Sequence, residues 1–139
     1  MITLDASVVI AHLSPDDPHH EAASGLLRAA AAEDLVMHSL NLAEVLVGGV
    51  RAGRGQEMLD DLAAMGIRVA ERPDGEALRL ATLRVSHRLK LPDCCALVTA
   101  LSTSAVLATV DEGLAKAGRS LHLSVAPDPK PAETTDLPR

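Results

Sequence analysis

The sequence predicts an α/β layer fold built on a parallel sheet. Short apolar runs alternate along the chain with longer Ala- and Leu-rich stretches of helical character. The runs are continuous rather than alternating apolar with polar, which is how strands buried on both faces read. Strands separated by helical stretches are the pattern of a layered fold with parallel pairing.

Residues 2–4 form the first apolar run, which ends in Asp5. Residues 7–13 read as a helix, closed by the turn-forming tract Ser14-Pro15-Asp16-Asp17-Pro18. The Ala/Leu-rich stretch 20–32 suits a second helix, and 35–38 a second strand. Helices follow at 41–51 and 55–65, the latter stopped by Gly66 in the position just past a helix end that glycine favours. Residues 67–70 are a third strand, 74–89 and 93–102 helices, and 105–108 a fourth strand. A short helix at 112–117 and a fifth strand at 121–125 complete the order. From Pro127 the composition changes, with Pro127, Pro129, Pro131 and Pro138 set among charges and threonines. The expected division is therefore a domain over 1–126 and a disordered Pro-rich tail over 127–139.

A chain of 139 residues, 47% hydrophobic, is one domain with enough apolar material for a core. Aromatic residues are absent, so Ala, Leu, Val, Ile and Met must fill that core, and nucleic acid cannot be held by aromatic stacking. The net charge of -6 argues against a protein that grips nucleic acid by bulk electrostatics. It leaves room for a nuclease, because metal ions invert the local charge of an acidic site. The adjacent Cys94 and Cys95 rule out a disulfide scaffold, and they read as two small core side chains. Neither a secretory leader nor an apolar run long enough to cross a membrane stands out. The expectation is a soluble, cytoplasmic protein.

The chemistry lies in four acids. Open parallel sheets build sites outside the carboxyl ends of their strands, at the switch point in strand order. Asp5 follows the first strand and Asp111 the fourth, in Ala108-Thr109-Val110-Asp111. Glu44 and Asp93 stand near helix starts, in Asn41-Leu42-Ala43-Glu44 and Leu91-Pro92-Asp93. Converging, they would form a pocket of oxygen donors suited to Mg²⁺ or Mn²⁺. A metal there lowers the pKa of a bound water and offsets charge on a phosphodiester. Each acid also has an ordinary use. Asp5, Asp93 and Asp111 could cap helices, and Asn41 with Glu44 resembles a capping box. Their joint order favours the functional reading.

Met1-Ile2-Thr3-Leu4-Asp5-Ala6-Ser7, Glu44-Val45-Leu46, Leu91-Pro92-Asp93 and Thr109-Val110-Asp111 resemble the four ordered motifs of PIN-domain proteins, above all the VapC-type toxins of bacterial toxin–antitoxin pairs. The resemblance runs from residue 1 to about 125. It implies a three-layer α/β/α fold around a mostly parallel five-stranded sheet, Mg²⁺- or Mn²⁺-dependent RNA cleavage, a homodimer and a cognate antitoxin. Carried over by motif, Asp5, Glu44, Asp93 and Asp111 would be the metal-binding and catalytic acids. Ser7, Asn41 and Thr109 would form the polar surroundings. The chain departs from the pattern after Asp111. Gly113 and Leu114 stand where many relatives carry a further acid, and Leu114 replaces the usual aromatic.

Arg51, Arg54, Arg68, Arg72, Arg79, Arg84, Arg88 and Lys90 give the middle of the chain a basic bias. They are either scattered solvated charge or a rim that leads RNA into the acidic groove. The region 41–65 is the candidate antitoxin surface, with ordinary core packing as the other reading. The chief rival function is a catalytically silent PIN-like module that binds a partner. A phospho-acceptor domain would need an Asp after the third strand, where Ala70-Glu71-Arg72 has none. A haloacid-dehalogenase-like phosphatase would need a second Asp two residues after Asp5, where Ser7 stands.

Overall fold

The computed structural model describes residues 1–128. Five short strands, β1 (Ile2–Leu4), β2 (Leu35–Met37), β3 (Ile67–Val69), β4 (Val106–Ala108) and β5 (Val125–Ala126), form one sheet in the order β3-β2-β1-β4-β5. Every pairing is parallel, so the sheet is wholly rather than mostly parallel. Among the described residues seven helices connect the strands: α1 (Ala6–Leu13), α2 (His20–Ala29), α3 (Ser39–Arg51), α4 (Gly55–Ala64), α5 (Glu76–His87), α6 (Leu91–Thr103) and α7 (Glu112–Ser120).

The pleat divides the core in two. Leu4, Leu35, Met37, Ile67 and Ala108 pack with apolar residues of α1 to α4, among them Val8, Val9, Leu27, Val45 and Leu62. Leu107 packs with Leu97 and Ala100 of α6 and with Leu114 and Ala117 of α7. Leu83 of α5 and Val125 complete that cluster. The result is the expected α/β/α sandwich. α6 is its most buried helix, with every residue from Cys94 to Ala100 inside. Fully burying one leucine such as Leu97 contributes about 1.5–3 kcal/mol. Gly118 sets the approach of α7 to the sheet, since a Cβ there would lie 2.9 Å from Leu107 Cδ2 and 3.2 Å from Val125 Cγ2. Both cysteines are free and buried, and burial pushes the Cys95 thiol up to about 11. They are inert core groups, as read from the sequence.

Several boundaries differ from expectation. Helix α3 begins at Ser39 and α6 at Leu91, each before the acid that it carries. Helix α7 runs on to Ser120, and the fifth strand is Val125–Ala126 rather than 121–125. Leu121 and Leu123 instead pack partly buried against the second cluster. Of the expected tail, residues 129–139 lie outside the described residues.

The strand order fixes where a site can form. From central β1 the chain steps outward through β2 to β3, then crosses back to β4 and β5 on the other side. The switch point thus lies between β1 and β4, and Asp5 and Thr109 directly follow those two strands.

Candidate acidic site at the switch point

Asp5 stands at the centre. It is buried, and it occupies the residue before α1 without its side chain capping that helix. Its Oδ2 instead accepts hydrogen bonds from the hydroxyls of Ser7 at 2.7 Å and Thr109 at 3.0 Å. The two hydroxyls are 3.2 Å apart. Each is also held by backbone, Ser7 Oγ accepting from Val110 N–H and Thr109 Oγ1 from Asp111 N–H. The β1 and β4 ends are therefore laced together around one carboxylate. Burial raises the Asp5 pKa, against the lowering effect of those hydrogen bonds.

Asp93 lies in the first turn of α6, two residues past its start. Lys90 occupies the cap position and no side chain caps the helix, so Asp93 is not a cap. Burial, then Asp5, Asp111 and Glu44 in that order, push its carboxyl up to about 6, opposed by the Lys90 ammonium. Glu44 projects from the exposed side of α3, and its pKa is raised by partial desolvation and by Asp5. Asp111 does cap a helix: its Oδ1 accepts from Leu114 N–H at 2.8 Å. The four acids thus reach one end of the sheet from four separate segments, near enough to act on one another electrostatically. Among the described residues, however, no three His, Cys, Asp or Glu side chains stand close enough to ligate an ion as they are.

Asn41 is not the start of a capping box, because α3 begins two residues earlier and is capped by His38. It is wholly buried and donates from Nδ2 to the Pro92 carbonyl at 3.0 Å, tying α3 to the first turn of α6. Its Oδ1 is buried without a partner. The sequence reading missed His38, which directly follows β2. The strand-end argument that singled out Asp5 and Asp111 applies to it equally. The basic stretch is only partly free. Arg54 pairs with Glu57, Arg72 donates to Ser39 Oγ, Arg79 to Ser102 Oγ and Arg84 to the Leu89 carbonyl. Lys90 is exposed and near both Glu44 and Asp93.

An α/β/α sandwich with a wholly parallel sheet and carboxylates gathered at its switch point defines a class of protein that works on a ligand at that edge. The family model described as PIN domain matches residues 2–120, and the chain belongs to the PIN-domain family. Among solved structures it is similar to a toxin–antitoxin complex from Klebsiella pneumoniae. That match has 23% identity and a TM-score of 0.67, and covers 80% of this chain and 87% of that one. It is also similar to FitAcB from Neisseria gonorrhoeae, with 22% identity, a TM-score of 0.65 and 90% and 96% covered. A third match is VapC20 of Mycobacterium tuberculosis, described as a toxin that cleaves the sarcin-ricin loop. There the identity is 16%, the TM-score 0.69, and 85% and 95% are covered. Identities this low establish a shared fold. Comparison with curated proteins gives no match.

Proposed function

We propose that this chain is a divalent-metal-dependent endoribonuclease, the toxin of a toxin–antitoxin pair, that hydrolyses RNA at Asp5, Glu44, Asp93 and Asp111. The observation that carries the reading is the gathering of four acids from separate segments at one end of the sheet, where burial and then Asp5, Asp111 and Glu44 push the Asp93 carboxyl up to about 6. Independent helix caps would not act on one another in this way. The Klebsiella neighbour, described as a toxin–antitoxin complex, and VapC20 support the biological setting.

The donor set is all oxygen and strongly anionic, which fits Mg²⁺ or Mn²⁺. The four acids would hold the ion, with Glu44 free to swing in from its exposed position on α3. A bound divalent ion supplies charge neutralisation at the scissile phosphate and makes water more acidic. The protein does the rest. Ser7 and Thr109 fix the Asp5 carboxylate. Asn41 fixes the turn that carries Asp93. Lys90 offers a cation to the RNA backbone at the rim of the cluster. One carboxylate takes the proton of the attacking water, the 3′-oxygen leaves, and the products carry 5′-phosphate and 3′-hydroxyl ends.

Antitoxin docking fits the outer faces of α1 and α3, where Ile10, Leu13, Val47 and Val50 are exposed. A largely apolar pocket of about 230 Å³ opens between Leu13, Gly48, Gly49, Met58 and Met65. A homodimer fits α5, which buries no residue and exposes Leu78, Ala81 and Val85 along one stripe. No helix among the described residues is long and apolar enough to cross a membrane.

The test is cleavage of total RNA by the purified protein in Mn²⁺ or Mg²⁺, with ends mapped by sequencing. Cleavage should stop in EDTA and in Asp5→Asn. A folded protein that binds an antitoxin but cuts nothing in either metal would leave only a binding module.

A further inference from the structure

His38 is buried, one of the few polar side chains in the core, and it stands where β2 passes into α3. Its Nδ1 accepts a hydrogen bond from Leu40 N–H at 3.1 Å, which caps α3. An acceptor nitrogen carries no proton, so the neutral ring bears its hydrogen on Nε2. That Nε2–H faces Glu76 Oε1 and donates to it. Glu76 is the first residue of α5 and is largely buried. Its other oxygen lies 3.9 Å from Arg72 Nε, and Arg72 donates in turn to Ser39 Oγ at 2.8 Å. One imidazole thus joins the starts of two helices that are far apart in sequence, and a guanidinium closes the outside.

These two helices both pack against α6. On one side, Asn41 of α3 holds the Pro92 carbonyl. On the other, α5 packs along α6, where Arg79, three residues past Glu76, donates to Ser102 Oγ toward the far end of that helix. Asp93 sits in the first turn of α6, beside Pro92. The contacts α3–α6 and α5–α6 are two sides of a triangle, and the His38–Glu76 bond is the third. Outside it, the exposed Arg72 links Glu76 to Ser39 at the start of α3.

We propose that His38 and Glu76 are positioning residues for the acidic cluster, locking α3 to α5 against α6, the helix that carries Asp93. The inference rests on the four-acid reading, because it assigns the pair a role in placing Glu44 and Asp93. Partners bonded directly to metal ligands change metal affinity by about 10–100-fold when lost, and this pair, one step further out, should act at the lower end of that range. The His38–Glu76 pair touches neither RNA nor the reacting atoms.

The test uses substitutions that separate the two nitrogens. In His38→Asn the amide oxygen replaces Nδ1 and keeps the α3 cap, but the side chain is too short to reach Glu76. In His38→Gln the amide nitrogen stands in for Nε2–H and keeps the Glu76 bond, but the cap is lost. Glu76→Gln retains an acceptor for Nε2–H. Full-length protein is assayed for Mn²⁺ affinity by titration calorimetry, for kcat and KM on RNA, and for melting temperature. His38→Asn should bind Mn²⁺ about tenfold more weakly and lose about tenfold in kcat, with KM for RNA nearly unchanged. His38→Gln and Glu76→Gln should recover most of both. Should His38→Asn fail to fold, Glu76→Ala, which leaves the cap intact, must show the same loss. Wild-type Mn²⁺ affinity and kcat in folded His38→Asn or Glu76→Ala, beside an inactive Asp93→Asn, would overturn the clamp alone. An active Asp93→Asn would overturn the acidic site and the clamp with it.

Discussion

Replacing Asp93 with Asn should stabilise the metal-free protein, although it removes an acid from the first turn of a helix. The dipole of α6 favours an anion there, by up to about 1 kcal/mol. Burial and three neighbouring carboxylates outweigh it, since the folded carboxyl titrates near 6 rather than near 3.8. That gap corresponds to at most about 3 kcal/mol at neutral pH, and solvent screening at this half-buried position reduces it to about 1–2 kcal/mol. An acid with a raised folded pKa favours folding below its unfolded value of about 4. The advantage is lost as pH rises through 6. Wild type in EDTA should therefore lose stability between about pH 4 and 7, and Asp93→Asn should lose less over the same range. At pH 7 the variant should melt about 3–10 °C higher, at roughly 3–5 °C per kcal/mol for a domain of this size. Metal reverses the order. Binding to the native state alone adds about 2.7 kcal/mol at one hundred times the dissociation constant, or roughly 8–13 °C for wild type. The variant should gain less than about half of that. Thermal melts across pH in EDTA, Mg²⁺ and Mn²⁺ measure both effects. A variant that melts below wild type in EDTA at pH 7, or that responds equally to metal, would refute the cluster.

Asp5→Asn, Glu44→Gln and Asp111→Asn should each lower RNA cleavage at least about tenfold, whereas Asp16→Asn and Asp17→Asn, in the α1–α2 loop, should leave it unchanged; near-normal rates in two of the first three would sink the site. Thr3→Val should raise stability by about 1 kcal/mol, because it replaces a buried hydroxyl that has no partner with a methyl of similar size, and a urea midpoint reads this directly. Gly118→Ala should cost about 1–3 kcal/mol by forcing α7 off Leu107 and Val125, with unchanged metal affinity per folded molecule as the control. A chain ending at Asp128 should keep the melting temperature and RNA cleavage of the full chain, judged by the same melts and gel assay.

The sheet was readable in the sequence because parallel strands buried on both faces leave continuous apolar runs, and β1 to β4 lie within one or two residues of where those runs fall. β5 was misplaced for a related reason. Leu121 and Leu123 are as apolar as a strand but serve as packing below α7, and only the pairing of Val125 and Ala126 with β4 distinguishes them. Asp5 and Asp111 could be found from strand ends alone. The roles of Glu44 and Asn41 were harder, because local spacing imitates a capping box while the helix starts earlier. His38 escaped because its partner lies 38 residues away, across a connection that no local pattern encodes.

The ring of hydroxyls around Asp5 has a consequence for synthesis. Ser7 and Thr109 are 102 residues apart, so the contact that fixes the Asp5 carboxylate cannot form until β4 has left the ribosome and paired beside β1. A nascent chain that already contains Asp5, Glu44 and Asp93 still has an open edge where its central strand should be covered. Its fourth acid and its hydroxyl clasp arrive last. Under the proposed toxin reading, this order would keep each chain inactive until most of it has been translated.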